Sequence, residues 1–255
     1  MNAKRIMKKL YKKFIEGELY FHIKPGDIIF DVGACTGEMA LYYSWRIGDN
    51  GKIYAVEPDR INNLPHISNL IKDSKNIKLL KFALGKEDGE GELYLSTDNS
   101  HHSLYKDFDW NVEHQVPHNT LPIKIHKLDT VIDMLHLERL NILYMNVEGA
   151  ELDVLFGAEK TLEKLSPRIH LAVHRVNNQS KLDDILKFFD DHGYKTRQYE
   201  DQIYASKNEI DFIPYDTRIC DICGKKITIY ECQRFDGVCV KCWWDFTQKW
   251  FETIL

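Results

Sequence analysis

The stretch DIIFDVGACTG, residues 27–37, decides the fold of this chain. Residues 27–32 form a short, mainly apolar run of the length that buried strands have, and the run enters a turn that contains Gly33 and Gly37. Glycine allows the backbone to approach a ligand closely, and a helix that begins after such a turn points free N–H groups at that ligand. The stretch therefore predicts a strand, a ligand-binding turn and a helix.

A second motif, AVEPD at residues 55–59, follows the first by one βαβ step. It places Glu57 at the end of the next strand, where a carboxylate can accept hydrogen bonds from both hydroxyls of a ribose. Pro58 ends that strand because proline has no N–H to donate to a sheet. The two motifs together predict a nucleoside-containing cofactor.

The spacing of the glycines separates two classes of cofactor. NAD-binding turns need a G-x-G-x-x-G pattern to seat a pyrophosphate, but this turn offers only Gly33 and Gly37. Asp31 stands in front of the turn, and an acidic side chain there favours a ligand with positive charge. The methionine portion of S-adenosylmethionine carries an ammonium and a sulfonium, so this is the predicted cofactor.

Apolar runs of strand length alternate with segments of helical periodicity, which predicts a parallel sheet with helices on both faces. Strands are expected at 52–56, 77–84, 92–95, 122–125, 141–147 and 168–174, and helices at 37–47, 60–73, 130–137, 150–165 and 181–192. Residues 194–199 and 202–205 predict a closing hairpin, and residues 97–120 a long loop of the kind that often forms a lid. The predicted fold class is α/β, a Rossmann-like and mostly parallel sheet that ends in an antiparallel hairpin.

Five ordered motifs carry a resemblance to a known family. They are DVGACTG from Asp31, AVEPD from Ala55, ALGKEDGEGEL from Ala83, LDT from Leu128 and NVEGAELDVLFGA from Asn146. Through them the chain resembles the FkbM family of methyltransferases over about residues 20–205. The resemblance implies a methyltransferase fold and transfer of a methyl group from S-adenosylmethionine, typically to a hydroxyl oxygen of a sugar, a polyketide or a similar metabolite.

The resemblance also implies which residues contact the cofactor. Those expected beside its methionine portion are Asp31, Gly33, Ala34, Cys35 and Gly37. Those expected beside the ribose are Glu57 and Pro58, and those beside the adenine are Phe82 and Ala83. Cys35 departs from the family, which usually has asparagine there.

The block at residues 144–151 departs further, since it reads YMNVEGAE where the family usually reads KIDVEGAE. Asn146 thus replaces an aspartate; it cannot act as a base, and it is a poorer ligand for a hard cation. Transfer to a hydroxyl needs a base near the carboxyl ends of the strands. Glu148 takes the leading role by elimination, and Glu151 and His174 are further candidates, His174 because of its ordinary pKa.

Both leading candidates also have simpler interpretations. Glu148 can be a helix N-terminal carboxylate favoured by the helix dipole, and His174 a histidine that is only hydrogen-bonded at a strand end. The loop histidines His101, His102, His114 and His118 are expected to belong to a polar lid, because spacing on a loop fixes no geometry for a metal.

Two C-x2-C pairs near the C-terminus predict a second domain. Cys220 and Cys223 are separated from Cys239 and Cys242 by fifteen residues, which is the pattern of a tetrahedral four-cysteine zinc site. The zinc is expected to be structural because four protein ligands leave no open position. The predicted domains are a methyltransferase domain at 1–210, with a basic N-terminal helix, and a zinc-ribbon-like module at 211–255.

Composition limits the partners. A net charge of -5 argues against a protein that mainly grips nucleic acid, so a small-molecule or glycan acceptor is expected. No apolar stretch is long enough for a membrane span, and the clustered cysteines favour a cytoplasmic location. The aromatic C-terminal segment could pack on the catalytic domain or form a homodimer.

Three functions therefore compete. The first is O-methylation of a saccharide or another hydroxylated metabolite. The second is methylation of RNA or protein, with the zinc module recruiting the macromolecule. The third is a scaffold that binds S-adenosylmethionine without turnover, which the departures from the family at Tyr144 and Asn146 motivate.

Overall fold

The computed structural model describes residues 21, 23–98, 100–114 and 119–212, and residues 23–208 form one compact unit. The basic N-terminal segment, His118, the four zinc-ligand cysteines and the aromatic C-terminal segment lie outside the described residues. The predicted N-terminal helix, zinc module, homodimer and domain boundaries consequently stay predictions. None of the described helices is long and apolar enough to cross a bilayer.

The elements follow one another in a regular α/β order. The first half contains β1 (Ile28–Val32), α1 (Glu38–Ile47), β2 (Lys52–Val56), α2 (Asn63–Leu70), β3 (Ile77–Leu80), β4 (Ala83–Leu84), β5 (Gly89–Leu95) and α3 (Asp109–Glu113). The second half contains β6 (Asn119–His126), α4 (Leu128–Met134), β7 (Ile142–Met145), α5 (Glu151–Phe156), α6 (Glu159–Leu165), β8 (Arg168–Ala172), β9 (Arg175–Val176), β10 (Gln179–Ser180), α7 (Leu182–Asp191), β11 (Lys195–Tyr199) and β12 (Gln202–Ser206).

Seven strands form the main sheet in the order β11-β12-β8-β7-β1-β2-β3. The pairs from β8 to β3 are parallel, and β12 is antiparallel to both β8 and β11. The predicted mostly parallel sheet with a terminal antiparallel hairpin is confirmed. The strand order reverses between β1 and β7, which is the place where open α/β sheets bind ligands.

Both faces of the central strands are covered, as the continuous apolar runs predict. One face packs against α4, α5, α6 and α7 in a single apolar core that includes Phe30, Leu143 and Leu155. The other face meets α1, whose Tyr43 ring lies edge-on to Tyr144 of β7 at 5.8 Å between ring centroids. Packing on both faces therefore holds the central strands in place, and their carboxyl ends can position the side chains of a site.

Two predicted elements are divided in the structure. The strand expected at 77–84 breaks after Leu80, and β4 leaves the main sheet to pair with β6, which also pairs with β5. The helix expected at 150–165 is interrupted at Gly157, where an added Cβ would lie 2.1 Å from the carbonyl oxygen of Gly85. Both breaks are made by contacts between segments distant in the sequence, which local periodicity does not encode.

Candidate functional site

The carboxyl ends of β1, β2, β7 and β8 meet at one edge of the sheet, and most predicted site residues lie there. Gly33, Ala34, Cys35 and Gly37 follow β1, and Glu57 and Pro58 follow β2. Glu148 and Glu151 follow β7, and His174 follows β8. Parallel strands thus bring together segments that are more than one hundred residues apart in the chain.

The turn after β1 is held tightly against its neighbours. Gly33 and Gly37 both have positive φ, +81° and +88°, which side chains rarely adopt. A Cβ on Gly33 would lie 2.0 Å from the carbonyl oxygen of Asn146, and one on Gly37 would lie 2.5 Å from Cγ1 of Ile67. The close approach that glycine permits here is to the protein's own β7 and α2, and this contact places the turn beside Asn146.

Glu57 is a buried carboxylate aimed at that turn. Its Oε2 accepts a hydrogen bond from the Cys35 N–H at 2.8 Å, and its Oε1 accepts one from the Asp59 N–H at 2.9 Å and one from Asn63 Nδ2 at 3.4 Å. The side chain is only 4% exposed, and this burial raises its pKa to about 7 although the hydrogen bonds lower it. Because a carboxylate oxygen has two acceptor sites, Oε2 can still accept a bond from a ligand.

The other predicted cofactor residues lie along the same edge or just inside it. Asp31 lies within β1 and is fully buried. Phe82 lies two residues after Leu80, whose carbonyl accepts the Glu57 N–H at 3.0 Å. The ring of Phe82 is half-buried and packs edge-on against His126. Ala83 begins β4.

A second group joins two carboxylates through a histidine. His174 Nδ1 lies 2.7 Å from Glu151 Oε1, and His174 Nε2 lies 3.5 Å from Glu148 Oε2. Asn146 Nδ2 donates to Glu148 Oε1 at 3.2 Å. The three residues proposed for catalysis are therefore in one cluster, and Asn146 links that cluster to the turn after β1.

The pKa of His174 differs from the ordinary value that the sequence suggested. Burial lowers it, but the hydrogen bond to Glu151 and the charges of Glu151 and Glu148 outweigh burial and raise the pKa to about 9. His174 is consequently an imidazolium at neutral pH, and its positive charge lies beside the Glu148 carboxyl group.

The loop between β5 and β6 covers this cluster, and the sequence had given it only a general role as a lid. Ser103 Oγ donates to the Glu148 carbonyl at 2.7 Å, Tyr105 Oη hydrogen-bonds to Asp153, and the Phe108 ring stands edge-on to His174. Lys181 donates to the Gly149 carbonyl and lies over the Tyr105 ring. No local sequence signal identifies these contacts, because the partners in each contact are distant in the sequence.

The loop histidines have structural partners. The rings of His101 and His114 stack on either side of Trp110, at 3.9 and 3.8 Å between centroids. His102 pairs with Asp59, with 3.1 Å between Nε2 and Oδ2. Among the residues that the structure describes, no three histidine, cysteine, aspartate or glutamate side chains are grouped to hold a metal ion.

A family model for the methyltransferase FkbM domain matches residues 31–196, well over half of the chain. The chain belongs to the FkbM methyltransferase family. The family predicted from the five motifs is thereby confirmed. The motifs span both the glycine turn and the Glu148 block, so the matched region contains all the candidate residues described above.

The chain is similar to solved structures of methyltransferases. The methyltransferase FkbM from Methylobacillus flagellatus KT superposes with a TM-score of 0.50 and 18% identity, over 72% of this chain and 44% of its own. Fibrillarin from Aeropyrum pernix, solved with bound S-adenosyl-L-methionine, superposes with a TM-score of 0.46 and 14% identity, over 78% of this chain and 74% of its own.

One curated relative matches a short segment. It is the ribosomal RNA large subunit methyltransferase E of Wigglesworthia glossinidia brevipalpis, 37% identical over 46 residues. The match covers 18% of this chain and 23% of that protein.

Proposed function

We propose that this FkbM-family chain transfers the methyl group of S-adenosylmethionine to a hydroxyl oxygen of a saccharide or another hydroxylated metabolite. One observation carries the proposal: an unbroken series of contacts runs from Gly33 through Asn146 and Glu148 to His174 and Glu151. The predicted cofactor turn and the predicted base are thus neighbours, as direct transfer between two bound ligands requires.

The residues present fit S-adenosylmethionine. The Glu57 carboxylate can accept a ribose hydroxyl because Oε2 retains an acceptor site, and Phe82 offers an apolar surface beyond β3 for the adenine. Asp31 places an acidic side chain in the strand that precedes the turn. When bound, this cofactor supplies a methyl group on a sulfonium, which is already activated for displacement.

The chain itself has to bind, align and deprotonate the acceptor. Glu148 accepts the proton of the acceptor hydroxyl, and its 6% exposure limits competition from water. The His174 imidazolium attracts the Glu148 side chain and holds it in place, and Glu151 orients the imidazole through Nδ1. Asn146 assists by donating to Glu148, a task that the aspartate usual in the family could perform only when protonated.

A second candidate is methylation of RNA, which the short match to a ribosomal RNA methyltransferase favours. The net charge of -5 and the acidic cluster around His174 weigh against it, since phosphates would meet like charges. We further propose that Cys220, Cys223, Cys239 and Cys242 hold a structural zinc ion.

The test is transfer of label from methyl-labelled S-adenosylmethionine to a fractionated cell extract. The proposal predicts label in a saccharide or small-metabolite fraction, reduced about 100-fold or more in Glu148→Gln. Glu159→Gln is the matched control, because Glu159 is exposed at the start of α6 and should leave transfer unchanged. Label in RNA would support the second candidate, and binding without transfer to any fraction would support a scaffold.

A further inference from the structure

The backbone of Glu148 adopts a conformation that needs support. Its φ is +50°, in the left-handed region, where a residue with a side chain is strained. Such strain persists only when surrounding contacts hold it. The carbonyl of Glu148 accepts the Ser103 hydroxyl at 2.7 Å, so Ser103 is one of those contacts.

Ser103 is itself fixed from several directions. It is 1% exposed, and its backbone exchanges two hydrogen bonds with Tyr94 of β5, at 2.8 and 3.1 Å. Its Oγ accepts the Tyr105 N–H at 3.0 Å, which leaves the hydroxyl proton for Glu148. The direction of this hydroxyl is therefore determined by the fold.

The residue before it is anchored on the other side of the site. His102 Nδ1 accepts the Ser96 N–H at 2.9 Å, so Nε2 carries the proton and donates it to Asp59 Oδ2 at 3.1 Å. Asp59 follows β2 and Glu148 follows β7, and β1 lies between these strands. Adjacent residues of the loop thus straddle the turn after β1.

We propose that Ser103 is a positioning residue, whose hydroxyl holds the Glu148 peptide so that the Glu148 carboxylate meets Nε2 of His174, with His102 fixing where that hydroxyl stands. The inference rests on the proposed function in one respect, namely that Glu148 is the base. The geometric part stands without it, since it concerns only Glu148 and His174.

The test follows the His174 imidazole by NMR titration, which needs no substrate. The charged and titratable groups that act on this ring are Glu148, Glu151, Asp201 and His101. Glu148→Gln should lower the pKa of His174 by about one pH unit because an opposite charge is lost. Ser103→Ala should lower it by at least about half as much, and Ser103→Cys, which keeps the volume but donates weakly, should fall between Ser103→Ala and the unaltered protein.

Ser100→Ala is the matched control, because Ser100 lies in the same loop but is exposed and bonds only to neighbouring residues. It should leave the pKa of His174 unchanged. If Ser103 acts through Glu148, then Ser103→Ala should have no further effect on His174 in a Glu148→Gln background. If Ser103→Ala still lowers the pKa of His174 in that background, the loop acts on His174 directly and the proposal is wrong. The proposal is also wrong if neither Ser103 variant changes the pKa of His174.

Kinetics separate this proposal from the proposed function. Ser103→Ala should reduce kcat about tenfold and leave the KM for S-adenosylmethionine within about twofold. If the unaltered protein transfers no methyl group but Ser103→Ala still lowers the pKa of His174, the positioning role of Ser103 stands and the proposed function is refuted. If the unaltered protein transfers methyl groups and Ser103→Ala leaves the pKa of His174 unchanged, only the positioning role is refuted.

Discussion

Burial of the Glu57 side chain disfavours its ionised form, and its hydrogen bonds offset this only in part. Its pKa is raised to about 7 by desolvation, so the folded state keeps a proton that the unfolded state loses near pH 4.5. That contribution to stability is fully present below about pH 4.5 and is lost as the pH rises through about 7. Above about pH 7 the buried carboxylate therefore lowers the stability of the folded protein, and a cofactor that donates hydrogen bonds to it would offset this loss.

We therefore expect Glu57→Gln to stabilise the cofactor-free protein at alkaline pH. The gain in the free energy of unfolding should be about 1 to 3 kcal/mol at pH 8 and should vanish near pH 4.5. Urea unfolding at both values measures it. A loss of stability at pH 8 would contradict the account of Glu57 as a ligand-binding carboxylate held at a cost.

His174 sets the expected dependence of methyl transfer on pH. Because Glu148 is the proposed base and the imidazolium holds it, kcat should be level from about pH 7 to pH 9 and fall above about pH 9 as His174 loses its proton. Glu151→Gln should move this fall to lower pH by removing a negative charge from Nδ1. A kcat that rises towards pH 9 would instead make His174 the base.

The sequence identified most residues of the site but not their coupling. Sequence reasoning could find four of these residues because each follows a predictable strand: Glu57, Glu148, Glu151 and His174. It could not find the raised pKa of His174, because that pKa depends on Glu148 and Glu151 at 3.5 and 2.7 Å. Those distances follow from how β7 and β8 align. Burial and charge act through space, so their effect on a pKa can be predicted only when the residues that surround the group in the fold are known.

At the scale of elements, the junction between β1 and β7 organises the site. Gly33→Ala should lower the free energy of unfolding by about 2 to 4 kcal/mol, because the new Cβ would overlap the Asn146 carbonyl and the φ of +81° disfavours a side chain. Gly89→Ala is the control, since a Cβ there meets nothing within 4 Å. Equal stabilities of the two variants in urea would refute the close contact.

The loop before β6 marks the limit of prediction for elements. Its lack of periodicity correctly indicated a long connection, but the structure adds α3, a bridge from Tyr94 to Ser103 and another from Phe108 to Val176. Both bridges join the loop to strands, through Tyr94 of β5 and Val176 of β9. Local propensity therefore gives the strands and helices of the Rossmann-like sheet and leaves the loop's conformation undetermined.

For the whole molecule, the cysteine spacing predicts a zinc site whose four cysteines lie outside the described residues. The purified chain should contain about one zinc ion, and Cys220→Ser or Cys239→Ser should abolish it. Cys232→Ser is the matched control, because Cys232 lies between the two pairs and is in neither. Elemental analysis measures the zinc, and retention of zinc in Cys220→Ser would refute the four-cysteine site.

We expect the carboxyl edge of the sheet to bind S-adenosylmethionine. Titration calorimetry with S-adenosylmethionine and with S-adenosylhomocysteine measures this binding. Saturable binding with a Kd below about 1 mM is predicted, weakened about 10- to 100-fold in Glu57→Gln and unchanged in the exposed control Glu90→Gln. The absence of binding heat with either compound, in a protein that unfolds cooperatively, would contradict the account.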